Sequence, residues 1–123
     1  MRTILITIIC LLMLHGCANA QELTASWYSV ASLKQEGTWR YSHGRMANGH
    51  IFNDNAYTCA TRLFPLGSLL RVKSNTTGYS VRVRVTDRIG KRFAKTRIDL
   101  SKIAFEKIAN LNQGLIKVKV EAI

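Results

Sequence analysis

VRVRVTDRIGKRFAKTRIDLS, residues Val81 to Ser101, holds the pattern that decides the fold. Val81, Val83 and Val85 alternate with Arg82 and Arg84, the period of two expected of a strand with one apolar and one cationic face. The strand runs out at Thr86-Asp87-Arg88 into a basic loop that contains Gly90. A second short strand follows, in which Ile98 and Leu100 flank Asp99. Asp87 and Asp99 thus stand at or near strand ends, 12 positions apart, in a chain with only seven acidic residues. Carboxylates this scarce, placed where strands end, mark the place to look for chemistry.

The same alternation recurs on either side. Leu69–Lys73 and Tyr79–Val85 read as a hairpin with Leu70 and Val72 facing in, Arg71 and Lys73 facing out, and Ser74–Gly78 as its loop. Leu23–Tyr28 (LTASWY) is a first strand ending in two aromatic residues. Ser29–Gly49 is polar and irregular, a long surface loop of the kind that carries function, and Asn48-Gly49 within it marks a tight turn. Ala56–Arg62 fits either a strand or a helical turn, and Phe64-Pro65-Leu66-Gly67 is a turn. Ser101 is a suitable N-cap for a helix from Lys102 to about Leu111, with Ile103, Ala104, Ile108 and Leu111 as its buried stripe. Gly114 stops that helix, and Leu115–Ile123 closes the chain with Val118 and Val120 inward and Lys117 and Lys119 outward. Short strands with one short helix and one long loop towards the N-terminal side predict a small, closed, mostly β barrel.

The chain's 123 residues allow one domain, and 47% hydrophobic content is ordinary for a globular one. Eighteen Lys and Arg against seven acidic residues give a net charge of +11, which favours polyanionic partners: nucleic acid, an anionic wall polymer or an acidic membrane surface. Residues 1–20 have the make-up of a signal peptide. Arg2 starts it, Ile4–Leu14 is an apolar run too short for a permanent span, and Ala18-Asn19-Ala20 is a small-x-small cleavage site. The domain is then 21–123, exported to the periplasm or secreted, and export argues against a nucleic-acid partner. A second reading competes within the same segment. Leu14-His15-Gly16-Cys17 is similar to a lipobox, with His15 where a small residue is usual; Cys17 would then carry lipid and anchor the protein to the outer membrane, its only route to a membrane. Cys10 leaves with the signal in either case. Cys59 is left alone, without an intramolecular disulfide, and reads as a buried small apolar residue rather than a nucleophile.

The succession TASWYS, GRMANG, LFPLGSLLRV, SVRVRVTDR, RIDLSKIAFEKI and a final VKVE strand, spanning Thr24 to Glu121, resembles the RlpA (rare lipoprotein A) family. That resemblance implies a six-stranded double-psi β-barrel, shared with expansins and barwin-like proteins. It also implies an endolytic peptidoglycan lytic transglycosylase, a monomer acting on glycan strands with no cofactor and no metal. Such an enzyme cleaves the bond after N-acetylmuramic acid without water: the sugar's own 6-hydroxyl attacks, and a 1,6-anhydro end results. One carboxyl can serve as acid and then as base.

The chain departs from the family pattern at two positions. Active members carry Glu directly after the ANG turn and His in a TAAHR-like stretch; here those positions are His50 and Thr61. Asp87, in the VxDR motif, remains. Asp99, in IDLS, matches the aspartate that matters in expansins. Asp99 is therefore the candidate proton donor and Asp87 its partner, with His50 a weaker third candidate. Plainer roles compete: Asp99 as a cap of the following helix, Asp87 as an ion-pair partner of Arg88 or Arg97. Trp27 and Tyr28 are candidate sugar-stacking residues, with Arg45, Asn48 and Arg88 lining the same groove, although core packing explains a Trp equally well. The competing function is a non-catalytic, expansin-like glycan binder, supported by the loss of the family's Glu and His.

Overall fold

A computed structural model describes residues 20–123; the expectations for a signal peptide and for lipidation at Cys17 lie outside the described residues. The alternating stretches form six strands: β1 (Gln21–Tyr28), β2 (Thr58–Ala60), β3 (Leu69–Ser74), β4 (Ser80–Asp87), β5 (Arg97–Ser101) and β6 (Ile116–Ala122). They close into a barrel in the order β1-β5-β2-β4-β3-β6. β1 runs parallel to β5 and β2 parallel to β4, while the remaining neighbours are antiparallel. This is the closed barrel that the alternation predicts and the double-psi barrel that the family resemblance implies.

The inward side of the alternation fills the barrel. Leu23 and Ala25, Cys59, Leu70 and Val72, Val81, Val83 and Val85, Ile98 and Leu100, and Val118 and Val120 form one buried cluster. Closure leaves no sheet edge, so a barrel of short strands satisfies its backbone without exposing an aggregation-prone ladder. Cys59 is fully buried within this cluster, and burial pushes its thiol well above the ordinary range. It packs as the small apolar residue expected.

Helical content differs from expectation. The loop between β1 and β2 is not irregular throughout: it holds α1 (Val30–Gln35) and α2 (Thr38–Ser42). Their signal is local. Ser29 and Ser32 form a reciprocal cap, with the Ser32 amide donating to Ser29 Oγ (3.1 Å) and the Ser29 amide to Ser32 Oγ (2.9 Å). The helix after β5, α3 (Lys102–Ile108), stops three residues short of Leu111. Its buried residues are Ala104, Phe105 and Ile108, so Phe105 replaces Ile103 in the stripe. Ser101 ends β5 without capping α3 through its side chain; its hydroxyl donates instead to the Ala56 carbonyl (2.7 Å). The ambiguous Ala56–Arg62 segment contributes the strand β2.

A second, smaller apolar cluster lies outside the barrel wall. Tyr28, Met46, Phe52, Ala60 and Ile89 are buried together, with Val30, Leu33 and Phe93 packed against them. Tyr28 stacks on Phe52 with ring centroids 4.4 Å apart. The β1–β2 segment is thus bonded down over the barrel's outer face, and this cluster is the floor on which the candidate site is built.

Candidate active site

Strand register brings the two aspartates together. Ser26 lies opposite Asp99, Asp99 opposite Ala60, and Ala60 opposite Asp87, one row crossing β1, β5, β2 and β4. Two inter-strand steps separate the aspartates, roughly 9–10 Å between their Cα atoms. Ala60, the small residue between them, is buried within the second apolar cluster.

Simple alternation along β4 would send Asp87 inward with Val83 and Val85. A bulge prevents this. Cys59 pairs with Val85 but Ala60 pairs with Asp87, so Thr86 is the extra residue and Asp87 is turned to the outer face that Ala60 and Asp99 share. There its Oδ1 accepts the amides of Ala47 (3.0 Å) and Arg88 (2.8 Å). Asp87 therefore ties the GRMANG loop to the barrel. It forms no ion pair with Arg88 or Arg97: the one ion pair among the described residues is Arg71–Glu121.

Asp99 is half-buried inside β5 and does not cap α3. Its Oδ1 accepts a hydrogen bond from Ser26 Oγ at 2.9 Å. Burial pushes its pKa up to about 6; the Ser26 hydrogen bond and the Arg97 charge pull the other way, and the negative charges of Glu36 and Asp87 add to the rise. A carboxylic acid with that pKa can give up a proton and take it back near neutral pH. Glu36, the C-cap of α1, and Ser26 are members of this site that motif reading alone does not reveal. The signal that could have found Ser26 is its place between Thr24 and Tyr28 on one face of TASWY; Glu36 carries no sequence signal.

Tyr28 and Trp27 part company. Adjacent strand residues face opposite ways. Trp27 packs against the barrel core and its indole N–H donates to the Leu111 carbonyl (3.1 Å), so its ring is not in the carboxylate groove. Tyr28 is on the site's face, only 7% exposed, and its hydroxyl and that of Thr58 are buried without a hydrogen-bond partner. Burial holds the Tyr28 phenol far above its ordinary pKa, with the Asp87 and Asp99 charges adding to the effect. It stays a neutral O–H donor.

The remaining candidates gather at the Asp87 end of the row. Arg88 donates to the carbonyls of Thr61 (2.7 Å) and Phe64 (2.6 Å), which fixes its guanidinium beside the groove. Arg45 donates to the Gly49 carbonyl (2.9 Å), and Asn48 Oδ1 accepts the His50 amide (3.0 Å), so both shape their own loop. The His50 side chain is exposed. Thr61 is 0% exposed and its hydroxyl accepts the Leu63 amide (3.2 Å), a turn-forming contact.

A closed six-stranded barrel with a protonatable aspartate on its outer wall, beside a second carboxylate and a buried phenol, defines a double-psi domain with a candidate acid–base site. Comparison with known proteins makes the assignment specific. Residues 20–120 match the family model described as "Lytic transglycolase", and the chain belongs to that family. It is 36% identical over 120 residues to the endolytic peptidoglycan transglycosylase RlpA of Neisseria meningitidis, covering 89% of this chain and 50% of that one. The chain thus spans half the length of that relative. Among solved structures, the Streptomyces papain inhibitor superposes with a TM-score of 0.62 at 23% identity, covering 84% of this chain and 94% of the other. An expansin of Clavibacter michiganensis in complex with cellohexaose superposes with a TM-score of 0.59 at 21% identity, covering 85% and 50%. These two likenesses concern the fold.

Proposed function

We propose that the protein cleaves peptidoglycan glycan strands as a lytic transglycosylase, with Asp99 as both acid and base. The observation that carries this reading is the half-buried Asp99 carboxyl, raised to a pKa of about 6 in a row with Ser26 and Asp87. In the first step the Asp99 proton passes to the glycosidic oxygen and the bond from C1 to that oxygen breaks. The carboxylate left behind then takes the proton of the muramic sugar's 6-hydroxyl as that oxygen bonds to C1. The 1,6-anhydro end forms, the acid is regenerated, and no water is consumed. Asp87 holds the GRMANG loop through two amides and contributes negative charge that favours protonated Asp99. Tyr28 lies beneath the row as a buried, neutral phenol. The family name and the peptidoglycan transglycosylase named among the relatives support the same substrate.

A second reading has an observation of its own. Thr61 is enclosed and His50 points to solvent, so neither replaces the Glu and His of the family pattern. A glycan binder without chemistry is consistent with that, and a relative of this fold holds cellohexaose. The deciding experiment incubates the purified protein with peptidoglycan and reads the products by mass spectrometry, with Asp99→Asn beside the wild type. Anhydro-ended products that vanish in the variant support the enzyme. Co-sedimentation with the glycan and no products supports the binder.

A further inference from the structure

Three adjoining cavities run along the outer face of β1 and β6, from the β3–β4 loop to the start of β5. The middle one, about 420 Å³, is lined by Thr24, Lys95 and Lys117, with Glu22 towards one end. It shares Glu22 with a cavity of about 440 Å³ that adds Lys73 and Lys119. It shares Thr24 and Lys117 with a third of about 360 Å³ that adds Arg97. The groove so formed has five cations and one carboxylate on its walls.

Two features set this groove apart from an ordinary solvated face. Lys73 stands directly opposite Lys119 across β3 and β6, a like-charge pairing that Glu22, opposite Lys119 on β1, offsets only in part. The one ion pair among the described residues, Arg71–Glu121, neutralises none of the five cations. The groove also continues the candidate site. Thr24 pairs with Arg97 and Ser26 with Asp99 on the same face of the β1–β5 ladder, two residues or roughly 7 Å apart. A polymer lying past Asp99 along these strands runs into the groove.

We infer that this groove binds the carboxylates of an acidic glycan strand, holding the part of the polymer that extends beyond Asp99. The inference rests on the peptidoglycan reading and adds a preference for glycan bearing carboxylates over neutral glycan of the same length. The carboxylates come from the sugar acid itself or from attached peptides. Nucleic acid is disfavoured because the walls of the three cavities include no aromatic side chain on which a base could stack.

The test measures dissociation constants by calorimetry in the Asp99→Asn background, which prevents turnover, with and without Lys95→Gln/Lys117→Gln. The ligands are peptide-free muramic-acid glycan oligomers, the same oligomers with peptide stems, and a neutral chitooligosaccharide of equal length. Acidic oligomers are expected to bind about fivefold tighter than the neutral one. The double substitution and added salt each remove that margin while the neutral oligomer keeps its affinity. Margin with peptide-free oligomers assigns the sugar acid as the source; margin only with stems assigns the peptides. Equal binding of acidic and neutral oligomers, or an unchanged margin in the double variant, overturns the inference. An acidic preference in a protein that yields no anhydro product upholds the groove and overturns the transglycosylase reading, so the two failures are separable.

Discussion

Asp99 holds its proton because leaving water costs it more than Ser26 and Arg97 return. An unfolded-chain Asp titrates near 3.9, whereas folded Asp99 titrates at about 6. Folding therefore tightens the proton, and the stability this contributes is complete below the unfolded value and lost as pH rises through about 6. Above that pH the ionised carboxylate is the costly form. Asp99→Asn is predicted to raise stability at pH 8 by on the order of 2 kcal/mol and to leave it nearly unchanged at pH 4, as thermal unfolding at the two pH values will show. The same substitution is predicted to cut the cleavage rate by a factor of about 10² to 10⁴. Wild-type activity is predicted to fall as pH rises through about 6, because the acid form begins the reaction. Tyr28 gives an independent check. Its buried hydroxyl lacks a partner, so Tyr28→Phe is predicted to gain roughly 1 kcal/mol in urea unfolding while glycan affinity is unchanged. At this scale the two aspartates were legible as scarce carboxylates at strand ends. Trp27 and Tyr28 were both candidates for the groove, although the alternation of TASWY puts them on opposite faces. The outward turn of Asp87 was not, because it depends on a bulge set by pairing with β2.

Among the elements, β3, β4 and β6 could be read because each carries two or three periods of apolar and cationic residues. α1 and α2, of six and five residues, offer less than two turns each, too little for a helical period to stand out. What holds α2 is contact. Gly44 lies against the Trp39 ring, where an added Cβ would come within 2.4 Å of it, and takes a φ of 75°. Gly44→Ala therefore meets both a clash and a left-handed backbone, and is predicted to destabilise by roughly 2 kcal/mol or more, with faster hydrogen exchange confined to residues 38–52. Asp87 matters to the same region as a clamp. Asp87→Ala removes the acceptor for two amides and is predicted to cost roughly 1–3 kcal/mol, visible as a lower urea midpoint. In α3, Phe105 rather than Ile103 enters the core because the helix packs on β4, β1 and β5 together, an orientation that no local period contains.

For the molecule as a whole, the chain order of the strands is far from their order round the barrel. β1 and β5 are parallel neighbours although most of the domain separates them in sequence. Residue patterns supply the strands; family resemblance supplied their arrangement, since only non-local pairing creates the Ser26–Asp99–Ala60–Asp87 row. Burial of Asp99 within that row shifts the titration of its carboxyl, and the groove beyond it concentrates positive charge on the same face. The chemistry proposed for Asp99 depends on that shift. The measurement to make is a ¹³C carboxyl NMR titration of Asp99 in the intact protein, assigned with Asp99→Asn. The account predicts a midpoint at about 6. A midpoint at an ordinary value of about 4 would mean that Asp99 is already ionised where the enzyme must protonate its substrate, and would contradict the account.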